Sequence, residues 1–442
     1  MMSKYGGGTS VFLGNIRPRG SEISTGGLAD GPVHYAKIYD TVVDVCKQSE
    51  ARRGACAAYL PIEHPDAADF LDIGTEGNPI QNLQYGITVT DKWLNEMKEG
   101  DLDKRALWAK VIQRRNEFGF PYIMFKDNSN NNSPYKELGM EITASNLCSE
   151  IQLPTDSYSS FVCCLGSINL LHWDDIIKTD AVETYVFFLN AVMNEFIAKA
   201  EVKAGLKRAY NFAKKHRAIG LGVLGYHSLL QSKLIEFESM EAKGLNNQIF
   251  KYLNEASESA SRYLAQEKGY ECIREGYANT TLMAIAPTKS SSFIHGAVSM
   301  GIEPIKSNYF IKDLAKSKTI YKNPFLKEEL IKYDMDNDNT WDSILKKDGS
   351  VQHLDFPSKG VFKSFIEISP KEIIIQAAQR QKYLDQSQSL NLMIHPSVPA
   401  KDLNKLYLSA WELGVKTLYY QFSQSSAQAF SRNILECASC EG

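Results

Sequence analysis

Apolar positions along this chain alternate between two periods, and the alternation predicts helices and strands in turn. From Val33 to Lys47, Ala36, Tyr39, Val43 and Cys46 recur at spacings of three and four, as one helix face does. Ala55–Ile62 is a short apolar run of the kind a buried strand leaves, and Gln84–Thr90 is another. Leu102–Phe118 returns to helical spacing, and Pro121–Phe125 to strand character. Long helical patterns follow at 182–201 and 240–268. The last third predicts a helix over Glu372–Leu384, a strand over Ser389–Ile394, a helix over Lys401–Leu413 and a strand over Val415–Tyr420. Strand–helix–strand spacing of this kind implies parallel pairing and an α/β class. The Asn- and Ser-rich stretch Asp127–Pro134 and the charged stretch Asp334–Gly349 are expected as surface loops. From Gln424 the composition turns small and polar, which predicts a mobile tail.

Composition narrows the class. At roughly 150 residues per domain, 442 residues make about three units or one large barrel. With 49 Lys and Arg against 52 Asp and Glu, a net charge of −3 argues against a chain built to coat nucleic acid or an anionic membrane. No apolar run approaches the ~18 residues of a membrane span, and the first residues carry no apolar signal-peptide core. Eight cysteines are too sparse for a secreted disulfide framework, so a cytoplasmic location is expected. The histidines show no metal-ligand spacing, so no metal site is expected; His64, in Glu63-His64-Pro65-Asp66, suits turn or cap work.

Several short segments carry chemistry. In Ser145-Asn146-Leu147-Cys148-Ser149-Glu150, an extended backbone sets Asn146, Cys148 and Glu150 on one face. An amide, a thiol and a carboxylate side by side can hold a hydroxyl, abstract from its carbon and accept its proton. Adjacent Cys163 and Cys164 rarely bridge each other, so one is expected to pack inward while the other is open to redox work. Cys437-Ala438-Ser439-Cys440 can close a small disulfide ring, and on a mobile tail it suits the carriage of reducing equivalents. Tyr419 and Tyr420 end the last strand; neighbours in a regular strand face opposite ways, so a working tyrosine stack requires the strand to break there. In Pro287-Thr288-Lys289-Ser290-Ser291-Ser292, a strand leads into a hydroxyl-rich turn able to offer N–H groups to phosphate. Gly220-Leu221-Gly222-Val223-Leu224-Gly225 matches a dinucleotide fingerprint by letter only. A basic helical pattern precedes it instead of a buried strand, and it is rejected as a nicotinamide site.

Taken in order, SNLCSEI (145–151), CCLGSINL (163–170), RAIGLGVLGY (217–226), APTKSSS (286–292), GIEPI (301–305), YLDQSQSLNLMI (383–394), GVKTLYY (414–420) and the terminal CASC resemble the large, catalytic subunit of class I ribonucleotide reductase. The resemblance runs over essentially the whole chain. It implies a ten-stranded α/β barrel with a central finger loop, occupying residues 1–425, and a redox tail over 426–442. It makes Cys148 the thiyl-radical residue, with Asn146 and Glu150 as substrate-positioning and acid/base neighbours. Cys163 becomes one of two electron-supplying cysteines, re-reduced by Cys437 and Cys440, and Tyr419 and Tyr420 relay the radical. Thr288, Lys289, Ser290 and Ser291 are expected to cradle the substrate diphosphate, with backbone near Gly6 in contact. Arg17 and Arg52 fall where the family reads deoxynucleotide effectors.

The partners implied are a metal-containing small subunit that supplies the radical, thioredoxin or glutaredoxin, nucleotide substrates, and deoxynucleotide or ATP effectors; no cofactor is expected in the chain itself. One feature departs from the family pattern. The first barrel strand normally carries the redox partner of Cys163, and no cysteine precedes Cys46. Cys46 and Cys56 fall on the predicted helix and strand, where packing is expected. The chain is therefore expected to lack the N-terminal barrel strands and to join a separate N-terminal chain. The alternatives are a catalytically silent deoxynucleotide-binding subunit, a cobalamin-dependent or glycyl-radical relative, and a simple dithiol oxidoreductase using Cys437 and Cys440.

Overall fold

A computed structural model describes residues 6–46, 54–314 and 317–423. Four strands, β1 (Gly8–Phe12), β2 (Ala55–Pro61), β3 (Gln84–Val89) and β4 (Tyr122–Phe125), pair in parallel in that order. Helices bridge them, among them Gly31–Val45 and Leu102–Phe118. Each crossover returns the chain in the same direction, as parallel pairing demands. β2 and β3 have apolar faces on both sides and are buried along almost their whole length.

A second parallel set follows. β5 (Leu165–Asn169) pairs with β6 (Gly220–Leu224), and single parallel bridges continue the order through Met283 and from Ile285 to Gln388. The small hairpin β7 (Tyr309–Leu314) and β8 (Ser317–Lys322) lies outside both sets. With the helices Pro324–Lys332 and Asp338–Lys346 it forms a satellite core around Leu326, Trp341 and Phe362. β9 (Leu392–Ile394) pairs in parallel with β11 (Gln421–Ser423), and β10 (Thr417–Leu418) runs antiparallel to β4. That β10–β4 pairing joins the two sets. Among the described residues β1 pairs only with β2 and β5 only with β6, so each set presents an open edge.

The helix over Leu102–Phe118 has the boundaries expected from spacing, whereas the strand inside the expected Val415–Tyr420, β10, runs antiparallel to β4, and the parallel partner of β9 is β11, just beyond that range. Both expected surface loops are instead structured. Lys126–Asn131 is helical, and its polar side chains are ties: Asn128 Nδ2 donates to the carbonyls of Trp411 and Val415, and Asn130 bonds Lys126 and Ile142. Asp338–Lys346 is a capped helix that buries Trp341 and Ile344. In both, Asn and Asp serve caps and long-range bonds that composition alone reads as loop. Cys46 is exposed at the end of its helix, against the packing expected of it, whereas Cys56 is buried in β2.

Candidate active site

The segment 145–151 enters the space between the two strand sets and turns there. Ser149 takes φ +67°, and its N–H reaches back to the Asn146 carbonyl. The extended geometry expected for Asn146, Cys148 and Glu150 is therefore replaced by a tight turn. Within the turn, Asn146 Oδ1 accepts the Ile151 N–H at 3.1 Å and closes the loop's base. Ser145 Oγ completes that closure on the Ile151 carbonyl at 2.8 Å. Cys148 is half-buried at the tip, and Glu150 is buried.

Both strand sets hold this finger. From β2, the Tyr59 hydroxyl donates to the Asn146 carbonyl at 2.8 Å. Burial raises the Tyr59 phenol far above its ordinary range, so it stays a donor. From the second set, Ser389 Oγ lies 2.7 Å from the Cys148 carbonyl and 3.2 Å from Glu150 Oε2. Thr417 Oγ1 donates to the Ser149 carbonyl at 3.0 Å, and the Ser387 N–H to that of Glu150 at 2.9 Å. Gly8 of β1 faces Leu147 so closely that an added Cβ would come 2.8 Å from Leu147 Cδ2. Gly6, with φ +70°, leads into this contact.

Cys164 packs inward, its Sγ 3.5 Å from the Leu189 carbonyl, and Cys163 keeps open surface. Although Cys163 is exposed, the mass of protein around its recess, and secondarily the Glu150 carboxylate, push its thiol up.

The last strand opens between β10 and β11, at Tyr419 and Tyr420, whose ring centroids stand 4.3 Å apart. Tyr122 of β4 adds a third ring, 4.7 Å from Tyr419 and 5.2 Å from Tyr420. Buried Arg115 donates to the Tyr419 carbonyl at 3.0 Å. The turn after Met283–Ile285 reaches the same cluster: Lys289 Nζ is 5.6 Å from the Tyr420 ring centroid, and the Thr288 hydroxyl accepts the Gly301 N–H at 2.8 Å. Ser290 and Ser291 sit beside them in that turn.

Arg17 is exposed, donating to the Glu22 carbonyl within its own loop. Arg52, Cys437 and Cys440 lie outside the described residues. Gly220–Leu224 is itself a buried strand, so its glycines serve sheet packing: a Cβ on Gly222 would stand 2.4 Å from the Ala284 carbonyl oxygen. His64 ties a turn, accepting the Asp66 N–H at Nδ1. A concavity of about 700 Å³ lies between the helices Leu102–Phe118 and Ala400–Glu412, and no finger residue lines it. Tyr59, Tyr122 and Arg115 lie in none of the motif segments quoted above, and Ser389 lies within YLDQSQSLNLMI with no role predicted for it.

Two parallel strand sets joined antiparallel, with a cysteine-bearing loop between them, define an α/β barrel protein built around an enclosed thiol. The ribonucleotide reductase barrel-domain family matches residues 1–102, 95–274 and 270–421, and this chain belongs to it as a homologue of the large subunit. It is 32% identical to the ribonucleoside-diphosphate reductase large subunit of Invertebrate iridescent virus 3, across 100% of this chain and 84% of that protein. The alpha subunit of the Actinobacillus ureae class Id ribonucleotide reductase superposes with a TM-score of 0.89 at 51% identity, covering 99% of this chain and 81% of that one. A vitamin B12-dependent ribonucleoside-diphosphate reductase of Thermoplasma acidophilum is 28% identical over 99% of this chain and 60% of its own length. Relatives thus come from more than one reductase class. Among the described residues no helix is long and apolar enough to cross a membrane, and no His, Cys, Asp and Glu group could hold a metal ion.

Proposed function

We propose that this chain is the catalytic barrel of a class I ribonucleoside-diphosphate reductase, making deoxyribonucleoside diphosphates with a radical supplied by a separate, metal-containing small subunit. Cys148, as a thiyl radical, takes the 3′ hydrogen of the ribose. Asn146 and Glu150 hold the hydroxyls and move the proton that lets the 2′ oxygen leave as water. Two thiols, Cys163 among them, supply two electrons and close a disulfide, and Cys148 returns the hydrogen. Cys437 and Cys440 re-reduce that disulfide and pass the oxidation to thioredoxin or glutaredoxin. Thr288, Lys289, Ser290 and Ser291, with backbone near Gly6, hold the diphosphate, and Arg17 and Arg52 take deoxynucleotide effectors.

The observation that carries this reading is the finger: Ser389 Oγ lies 2.7 Å from the Cys148 carbonyl and 3.2 Å from the buried Glu150 carboxylate, which ties the thiol-bearing tip to the acid. Support for the class with a small subunit comes from the close pair of rings Tyr419 and Tyr420, 4.3 Å apart, which a cobalamin radical source would leave idle. The class Id structural relative adds to it. The second electron-supplying cysteine belongs on a further strand at the open β1 and β5 edges, whether in the same polypeptide or another.

The test is reduction of a ribonucleoside diphosphate by this chain, with a small subunit and a strand-supplying segment added singly and together. Turnover is expected only with both, and Cys148→Ser should abolish it while nucleotide binding persists. Turnover with cobalamin in place of the small subunit would move the chain to the other class. Deoxynucleotide binding without turnover in any mixture would make it a regulatory subunit.

A further inference from the structure

The pairing between the strand through Leu390–Ile394 and the strand through Thr417–Ser423 slips by one residue at the tyrosines. β11 aligns Gln421 with Leu392, and the Leu392 N–H donates to the Tyr420 carbonyl. Carried back without interruption, that register would send the Tyr420 N–H to the Leu390 carbonyl. Instead the Tyr419 N–H occupies the Leu390 carbonyl, at 2.9 Å. One extra residue has been inserted opposite Asn391, which makes Tyr419–Tyr420 a bulge in a parallel pair. Bulges of this kind are rare and re-aim side chains next to functional sites.

A bulge displaces one N–H and one C=O from the ladder, and burial makes both costly unless other groups take them. Here side chains do. The Tyr420 N–H donates to Asn391 Oδ1 at 3.1 Å, and Arg115 Nη1 donates to the Tyr419 carbonyl at 3.0 Å. Asn391 is 1% exposed, and its Nδ2 donates to the Glu303 carboxylate, itself buried. The position requires a head that accepts on one side and donates on the other, and a primary amide does both.

We propose that Asn391, oriented by Glu303, is a positioning residue for radical transfer: it keeps the Tyr419–Tyr420 bulge, and so the 4.3 Å ring spacing, that the relay uses. The inference rests on the relay reading above. Loss of the amide lets the register slip back, which turns neighbouring rings to opposite faces.

The test uses the complete enzyme, with its small subunit and further strand. Asn391→Leu and Asn391→Asp should lower kcat about 10- to 100-fold with little change in KM for the nucleoside diphosphate. Asn391→Asp places two carboxylates head to head. The double variant Asn391→Asp/Glu303→Gln exchanges acid and amide, restores both hydrogen bonds, and should return kcat to within about threefold of the parent. With 3-aminotyrosine at position 420 as a radical trap, the yield of trapped radical should follow the same order. Should Asn391→Leu not fold, the near-isosteric Asn391→Asp and its rescue decide. Parental kcat and radical yield in Asn391→Asp, or a folded double variant no better than the single, would overturn the inference. If Tyr420→Phe retains full turnover, the relay reading falls and this inference with it. If Tyr420→Phe is dead while the Asn391 variants are unimpaired, only the inference falls.

Discussion

Two buried stretches of this protein, one a pair of strands and one an irregular run bridged once to its neighbour, differ in almost every side chain. β2 and β3 read ACAAYLP and QYGITV, and their bonds run from backbone to backbone along the sheet. The stretch Gln386-Ser387-Gln388-Ser389 is also between 0 and 2% exposed, yet every side chain in it is polar. Gln386 accepts the Gln152 N–H and donates to the Ile219 carbonyl. Ser387 meets the Thr417 hydroxyl at 2.8 Å, and Gln388 bonds Ala377 and accepts from Arg380. Ser389 holds the finger. The apolar strands supply cohesion, with Tyr59 alone reaching from them to the finger, whereas the polar stretch uses its burial to fix other segments, which works only because each group finds a partner.

The comparison can be broken by experiment. The largest stability loss is expected in the apolar strand: Ile87→Ala, at a residue with no exposure, should cost about 2–5 kcal/mol, read as a lower urea midpoint. Turnover per folded molecule should survive it. Ser389→Ala should reverse the pattern, costing about 1–2 kcal/mol of stability while turnover falls roughly tenfold or more. Equal behaviour of the two variants would erase the distinction.

A gentler probe is pH. His216 is buried between Phe212 and Tyr135, and burial pulls its imidazole down to about 4. Lys215 adds to the shift and Asp156 opposes it. The folded state then binds the proton less readily than the unfolded chain does. This contribution to stability is complete above the ordinary imidazole range and is lost as pH falls toward about 4. Denaturation followed from pH 7 to 4 should show that slope, and His216→Phe should flatten it. The smallest effect is expected at Cys46, exposed at a helix end: Cys46→Ser should change stability by less than about 0.5 kcal/mol.

The same contrast explains what could be read before any coordinates. Helices such as Leu102–Phe118 follow from side-chain periodicity, and β2 and β3 from apolar runs, because for them burial and pattern coincide. Lys126–Asn131 and Asp338–Lys346 were illegible as helices because their Asn and Asp residues bond partners distant in sequence or cap helix ends. The finger residues were legible as chemistry, through their types and order, and illegible as geometry. Its turn is set by Ser149 at positive φ and by hydroxyls from β2, Ser389 and Thr417, none of them neighbours in the chain.

The sequence by itself determined the α/β class, most of the helices, that one of the adjacent Cys163 and Cys164 turns inward, and the need for a strand break at the tyrosine pair. Those properties depend on periodicity, on local backbone rules or on the geometry of adjacent residues. The tertiary structure alone decided that the break is a one-residue bulge, that Tyr122 joins the cluster, and that Ser389 meets both the Cys148 carbonyl and the Glu150 carboxylate. A hydrogen bond such as Ser389 to Cys148 spans 241 positions of chain. No local pattern encodes such a contact, because it exists only once the two strand sets have closed around the loop.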